Sequence, residues 1–406
     1  MEQQPTFLQR IFRSSPENPS TSLAKPATWL FDLFFKSKAG ESVNEQTAMA
    51  LSAVFAATRI ISETVASLPL DVYEREGQGR TRLTDHPLAK LLKQPNNTQT
   101  YFVWKEYLQA CITLHGNAYC HIERDLAARP IALHPIHPSK VRVKIVKNDK
   151  FYIVDDKTTY ADHEMLHILG LSLDGVTGVS VLGAAREAIG IGLAAQQFGA
   201  EFFGNGANLG GVLTHPGRLT DDAAKRLKDS WTRSHSGLNK AHSTAVLEEG
   251  MKYDRIGIPP NEAQFIETRK MQVTEIARIF RVPPHMLADL DASSTRANIE
   301  EQGISFVRDT IRPIVSRWEA ELDRKLLRED EKGTLYTRFN IDSLLRGDTK
   351  SRFESYATAR QWGWLSVNDI RDLENLNPIN GGDVYLQPLN MVNASTQPND
   401  GQVDAD

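Results

Sequence analysis

Apolar residues recur at helical spacing over 45–67, where Leu51, Val54, Phe55, Ile61 and Val65 share one stripe. Pro69 closes that pattern, and 70–75 alternates apolar and polar positions as a strand does. Further on, 86–93 and 100–114 read as helices, while 118–124, 141–146 and 151–154 alternate with the period of half-exposed strands. Pro130, Pro135 and Pro138 read as separators between those strands. Two longer helices follow, over 181–204 and 261–281. They bracket a compact insert predicted as strand 211–214, helix 220–234, strand 243–248 and strand 252–256. Small residues, among them Gly183, Ala188, Gly192 and Gly199, recur along the first long helix, which suits close approach to a copy of itself or to another long helix.

The longest periodic stretch is 296–329, carrying Ile299, Phe306, Ile311, Trp318 and Leu322, with a kink expected at Pro313. A strand over 335–341 and helices over 347–362 and 366–375 complete the pattern. Residues 1–44, punctuated by Pro5, Pro16, Pro19 and Pro26, read as a flexible arm interrupted by Trp29, Phe31, Phe34 and Phe35. From 381 onward the composition is polar, with four Asp and no Lys or Arg, and reads as a disordered acidic tail.

With 406 residues, 40% of them hydrophobic and 24% charged, the chain can bury the core of two or three domains. The fold class is α+β. A net charge of −4 argues against a surface that grips nucleic acid throughout, but suits one past which DNA slides. Cys111 and Cys120 form neither a disulfide framework nor a metal pattern, and read as reduced thiols. No run reaches the roughly 20 apolar residues of a membrane span, and residues 1–13 lack the features of a secretory signal; a cytoplasmic chain is expected.

Three stretches invite catalytic readings. His163-Glu164-Met165-Leu166-His167 is a literal H-E-x-x-H, which on a helix holds Zn²⁺ through both His while Glu164 activates water; Glu187, 20 residues beyond His167, is a candidate third ligand. The pattern needs a helix, however, and here it runs straight into Gly170 and a turn, so a strand with a buried His167 is the favoured reading over a zinc hydrolase. Gly178-Val179-Ser180-Val181-Leu182-Gly183 misses the nucleophile elbow by one residue, and Ser180 reads as a helix cap. Gly204, Gly206, Gly210 and Gly211 follow a helix instead of opening one, so they form no phosphate loop. Without a Walker A sequence, the chain is no ATP-driven motor.

Two other segments invite a binding reading. Within 214–242 stand Arg218, Lys225, Arg226, Lys228, Arg233 and Lys240 against Asp221, Asp222 and Asp229, either a solvated helix face or a docking surface. Ser293, Ser294, Thr295, Arg296 and Asn298 supply short polar groups and one cation, suited to weak phosphate contacts or to capping the next helix.

A series of short motifs stands in one order. It begins with Ile60-Ile61 and Ser67-Leu68-Pro69-Leu70, then Pro95-Asn96-Asn97 with Gln99-Thr100, then Gly116-Asn117-Ala118-Tyr119. His167-Ile168 follows, with Asp174-Gly175 and Gly178, then Phe203 with Asn205-Gly206, then Val246-Leu247-Glu248 with Gly250. The series closes with Glu275-Ile276-Ala277-Arg278, Phe280 and Val282-Pro283-Pro284, then Leu344-Leu345-Arg346 with Asp348, then Gly363, Leu365, Asn368-Asp369 and Arg371. In this order, over 45–383, they resemble the HK97-type family of phage portal proteins. A departure falls at Ala292–Arg296, where an aromatic near the serines would be expected.

The resemblance implies a non-enzymatic, dodecameric ring without cofactor or metal. It implies an arm over 1–44, a wing over 45–180, stem helices over 181–206 and 261–282, and a βαββ clip over 207–260. A tunnel loop over 283–297, a wing helix and strand over 298–346, a crown over 347–380 and a tail over 381–406 follow. Implied partners are double-stranded DNA, the terminase large subunit, the major capsid protein or scaffold, and the head–tail connector. The implied place is the portal vertex of the virion, after assembly in the host cytoplasm.

Overall fold

A computed structural model of the chain describes residues 37–77, 79–204, 211–217, 220–235, 251–255, 262–287, 296–341, 344, 349–374 and 376–386. The chain divides after Phe339 into two compact units.

The first unit opens with α1 (Glu45–Met49) and α2 (Ser52–Ser67), where the sequence pattern suggested one helix. Asn44 and Thr47 close a capping box on α1, and Leu51 turns extended before α2 starts. A tertiary contact accounts for the break, because Leu51 packs over Gly192, where a Cβ would come within 2.9 Å of its side chain. Val54, Ile61 and Val65 of α2 are buried, and burial of each side chain contributes about 2 kcal/mol. They share a core with α4 (Tyr101–His115), which follows the short α3 (Pro87–Lys93). Trp104 of α4 meets Trp318 edge-on at 5.6 Å, and the Trp318 indole N–H donates to Gln109 Oε1 at 2.9 Å.

The same unit holds three small antiparallel sheets, the third packed on the second through Tyr119, Tyr152 and Met165. In the first, β1 (Leu70–Glu76) lies between β2 (Gly79–Leu83) and β11 (Leu335–Phe339). In the second, β3 (Asn117–Arg124) lies between β4 (Pro130–Ile136) and β8 (Met165–Leu169). In the third, β6 (Asp149–Val154) lies between β5 (Val141–Val146) and β7 (Thr158–Ala161). The prolines had marked 130–136 as a separator, yet it is a strand; at a sheet edge proline removes no needed ladder bond. The polar β2 and short β7 carry too few apolar positions to be read from periodicity.

Ser180 caps α5 (Val181–Ala184) by accepting from Gly183 N–H at 3.2 Å, and α6 (Arg186–Gly204) continues after Ala185. Of its small residues, Gly190 receives Ser37 and Val43, and Gly192 receives Leu51 and Gln272. Then come β9 (Gly211–Thr214), α7 (Asp221–His235) and β10 (Lys252–Arg255), with β9 and β10 paired antiparallel. The strand expected over 243–248 lies outside the described residues. Helix α8 (Glu262–Phe280) returns alongside α6.

The long pattern over 296–329 resolves into α9 (Arg296–Phe306), a π-helical turn (Val307–Ile311) and α10 (Arg312–Leu326). Pro313, which has no N–H and whose ring presses on the carbonyl four residues back, accounts for the widened turn immediately before it.

In the second unit, α11 (Thr349–Gln361) and α12 (Val367–Leu373) are joined through Gly363, whose φ of +73° suits glycine. Arg352 pairs with Glu374 at 2.8 Å, and Tyr356 donates to the same carboxylate at 2.9 Å. Residues 381–386, expected to begin the disordered tail, instead pack here. Gly382 lies against Asn368, and a Cβ on Gly363 would stand 2.1 Å from Leu386 O. Residues 387–406 lie outside the described residues.

Candidate functional site

Three of the sequence motifs converge on one buried polar knot. Gly116 leaves α4 at φ +72°, which places Asn117 at the head of β3. The Asn117 amide N–H₂ donates to His115 O and to Gly178 O, both at 2.9 Å. Its Oδ1 accepts from Gly178 N–H at 2.7 Å and lies 3.0 Å from His167 Nε2. An oxygen in that position needs donors, so Nε2 carries the His167 proton. Nδ1 is left to accept from Lys150 Nζ at 3.0 Å and from Tyr152 OH at 3.3 Å. Burial lowers the His167 pKa to about 2, which keeps the ring neutral. Backbone approach here is close. A Cβ on Gly178 would stand 1.8 Å from Gly116 O, and one on Gly116 would stand 2.1 Å from Val179 O.

That arrangement disposes of the zinc hydrolase. His163 lies in a 3₁₀ turn (Asp162–Glu164), while Glu164 Oε2 is taken by Ala161 N–H at 2.8 Å. His167 lies in β8, 2% exposed, with both ring nitrogens engaged inside the protein. No helix presents these residues together.

Among the described residues, Glu45, His115 and His137 bring donor atoms close enough together to hold a cation. Glu45 Oε2 lies 3.2 Å from His115 Nε2 and 3.1 Å from His137 Nε2. Ser139 N–H points at His137 Nδ1 at 3.2 Å, so that nitrogen accepts and Nε2 carries the proton toward Glu45. A metal would need that Nε2 lone pair. The triad is therefore a hydrogen-bonded strap joining α1, the end of α4 and the turn after β4 (Pro138–Lys140).

Sequence reasoning passed over Lys105. Its ammonium lies 2.6 Å from Leu68 O, near the Tyr101 and Phe339 rings, and burial lowers its pKa to about 8. Nothing in the local pattern marks it, because a lysine on a helix ordinarily faces water.

The basic segment expected to dock a partner is only partly described. Lys225 and Arg226 are exposed on α7, Lys228 and Arg233 lie on the same helix, and Arg218 and Lys240 lie outside the described residues. At 3.6 residues per turn those four positions span an arc of about 160° that also holds Asp229. Leu227 and Ala223, half-buried, fall on the opposite side.

Ser293, Ser294 and Thr295 lie outside the described residues, and Arg296 and Asn298 stand in the first turn of α9. The anchors of that loop are visible. On one side α8 ends at Arg281, φ +57°, whose carbonyl accepts from Thr310 Oγ1 at 2.7 Å. The chain then passes Pro283 into a 3₁₀ turn (Pro284–Leu287). On the other side α9 departs, and His285 Nδ1 lies 2.7 Å from Gln302 Oε1. A cleft of about 420 Å³ between Arg278, Arg281, Gln302 and Asp309 opens at these anchors.

Sequence comparison identifies the family to which this pair of long helices, small α/β insert and anchored loop belong. Residues 52–375 match the phage portal protein family. The chain is 33% identical to the probable portal protein of Streptomyces phage phiC31 over 91% of this chain and 84% of that protein. To the portal protein of Enterobacteria phage HK97 it is 31% identical, over 86% of this chain and 84% of that one. A chain in the neck of an empty gene transfer agent particle, computed with C6 symmetry, superposes with a TM-score of 0.59 at 24% identity, covering 82% of this chain and 93% of that chain. The chain belongs to the phage portal protein family, and its function is that of a phage portal protein.

Proposed function

We propose that the chain assembles as a ring, twelve subunits by the family resemblance, through which double-stranded DNA passes into and out of the capsid at one vertex. One observation carries this reading. Helices α6 and α8, 19 residues and about 28 Å each, run side by side and bracket the β9–α7–β10 insert. In the reading by domains, 45–180 and 298–346 form the wing, 181–206 and 261–282 the stem, 207–260 the clip, and 347–380 the crown. The sixfold symmetry of the gene transfer agent neck is compatible with twelve copies.

The loop over 283–297 faces the channel, and Ser293, Ser294, Thr295, Arg296 and Asn298 touch the duplex weakly. Few cations there mean few phosphate contacts held against sliding. The arc of Lys225, Arg226, Lys228 and Arg233 on α7, with Arg218 and Lys240, docks the terminase large subunit and later the head–tail connector. The wing meets the major capsid protein or scaffold. Assembly takes place in the host cytoplasm before the virion is complete. The role is mechanical, and the polar side chains of Asn117 and His167 are engaged inside the protein.

Electron microscopy of the purified full chain tests the reading. Rings with a central opening wide enough for a duplex are expected, and a population of compact monomers or dimers at working concentration would overturn it.

A further inference from the structure

A groove of about 460 Å³ runs beside α5 and α6, with Ile112, Leu171, Val181, Ala188 and Ile279 in its wall. Glu187 and Glu275 add two carboxylates to the same wall. Leu171 is 64% exposed there, although a large apolar side chain gains from cover. The channel reading does not use this groove.

We propose that residues 29–36 of the same chain, Trp-Leu-Phe-Asp-Leu-Phe-Phe-Lys, occupy it. The described chain begins at Ser37, 5% exposed and packed on Gly190 of α6, where a Cβ would meet Ser37 Oγ at 2.2 Å. The next residue, Lys38, donates its backbone N–H to Glu187 Oε2 at 3.0 Å. The segment preceding Ser37 therefore emerges beside a carboxylate that itself lines the groove. An extended chain covers about 3.5 Å per residue, which puts Phe34 and Phe35 within about 10 Å of Ser37.

The chemistry matches on two counts. Six of these eight residues, Trp29, Leu30, Phe31, Leu33, Phe34 and Phe35, are large and apolar, a density unlike the polar, proline-punctuated residues before them. Lys36 and Lys38 follow the cluster in sequence, and Glu187 and Glu275 offer carboxylates of opposite charge in the groove wall. Here the rings complete the apolar layer over α6 of their own subunit, and only residues 1–28 remain as an arm. The inference does not depend on ring formation.

Disulfide trapping in the full-length protein tests it. Phe34→Cys or Phe35→Cys is paired with Leu171→Cys and oxidised mildly. The native Cys111 and Cys120 are buried, and burial raises both thiol pKa values, so they stay unreactive. A bridge that runs as a monomer on a non-reducing gel is expected. A ladder of cross-linked oligomers would assign the groove to a neighbour's arm and overturn the proposal, as would the absence of any bridge at both positions. Amide hydrogen exchange supplies a second measurement. Residues 29–36 should exchange at least tenfold more slowly than residues 1–28, and the exposed-site variant Leu171→Glu should remove that protection without lowering Tm. Exchange of 29–36 at the rate of 1–28 in the unaltered protein would sink the idea.

Discussion

The knot around Asn117 and the basic face of α7 both concentrate polar residues, and they use them in opposite ways. At the knot every polar side-chain atom of Asn117 and His167 is paired inside the protein, and Gly116 and Gly178 let two backbone segments touch. Its polarity fixes the junction of α4, β3, β8 and the loop leading into α5. On α7, Lys225 and Arg226 reach into water, and the described polar contact of Arg226 is Nε donating to Asp222 O of its own helix at 3.2 Å. Buried polar groups that are fully satisfied specify a backbone path, whereas exposed ones are free to meet a partner. Fixed and adaptable polarity thus fall in different stretches of one chain.

The strongest way to break the comparison is Gly178→Ala. A Cβ placed 1.8 Å from a backbone oxygen cannot be relieved by a side-chain rotation, so a loss above about 4 kcal/mol, or a Tm lower by about 5 °C, is expected by calorimetry. An unchanged Tm would mean that the two segments separate easily.

Lys105 gives a smaller effect with a defined sign. Its folded pKa of about 8 lies below the unfolded value, so between pH 8 and about 10.4 the unfolded chain holds a proton the folded one has released. Stability should therefore rise with pH across that window by up to about 3 kcal/mol, and Lys105→Met should flatten the rise in denaturant titrations. An identical slope in both proteins would refute the buried, depressed lysine.

His167 works in the acid direction. Its folded pKa of about 2 lies below the unfolded value of about 6.5, so its contribution is present above pH 6.5 and lost as pH falls below it. About 2 kcal/mol should disappear between pH 7 and pH 5, and His167→Gln should reduce that acid slope. Urea melts at the two pH values measure it.

The smallest stability effect is expected on the other side of the comparison. Arg226→Glu with Lys228→Glu should leave stability unchanged within about 0.5 kcal/mol and leave rings intact, while abolishing DNA packaging in a complementation assay. Normal packaging would return α7 to a plain solvated face.

Much of this fold was legible because apolar periodicity reports burial directly. Helices α4, α6 and α8 and strands β3, β5 and β6 stand where the pattern places them, within a residue or a few. Ser180 as a cap and His167 as a buried strand residue were also readable, since Gly170 and the turn after it leave no room for a helix. The breaks were not. Leu51 interrupts a helical stripe because Gly192, far along the chain, makes room for it. The widened turn before Pro313 could be expected only as a kink. Strand β4 was hidden behind two prolines that an edge position tolerates.

The sequence by itself settled the family, the α+β class and the order of the long helices, because each rests on local residue choice and spacing. Which polar residues are structural was decided by the tertiary structure alone. Asn117, His167 and Gly178 are separated by up to 61 residues, and only folding shows that one oxygen of Asn117 serves both of the others. Hydrogen-bond pairing is a matter of distance in space, and a linear pattern carries no record of it.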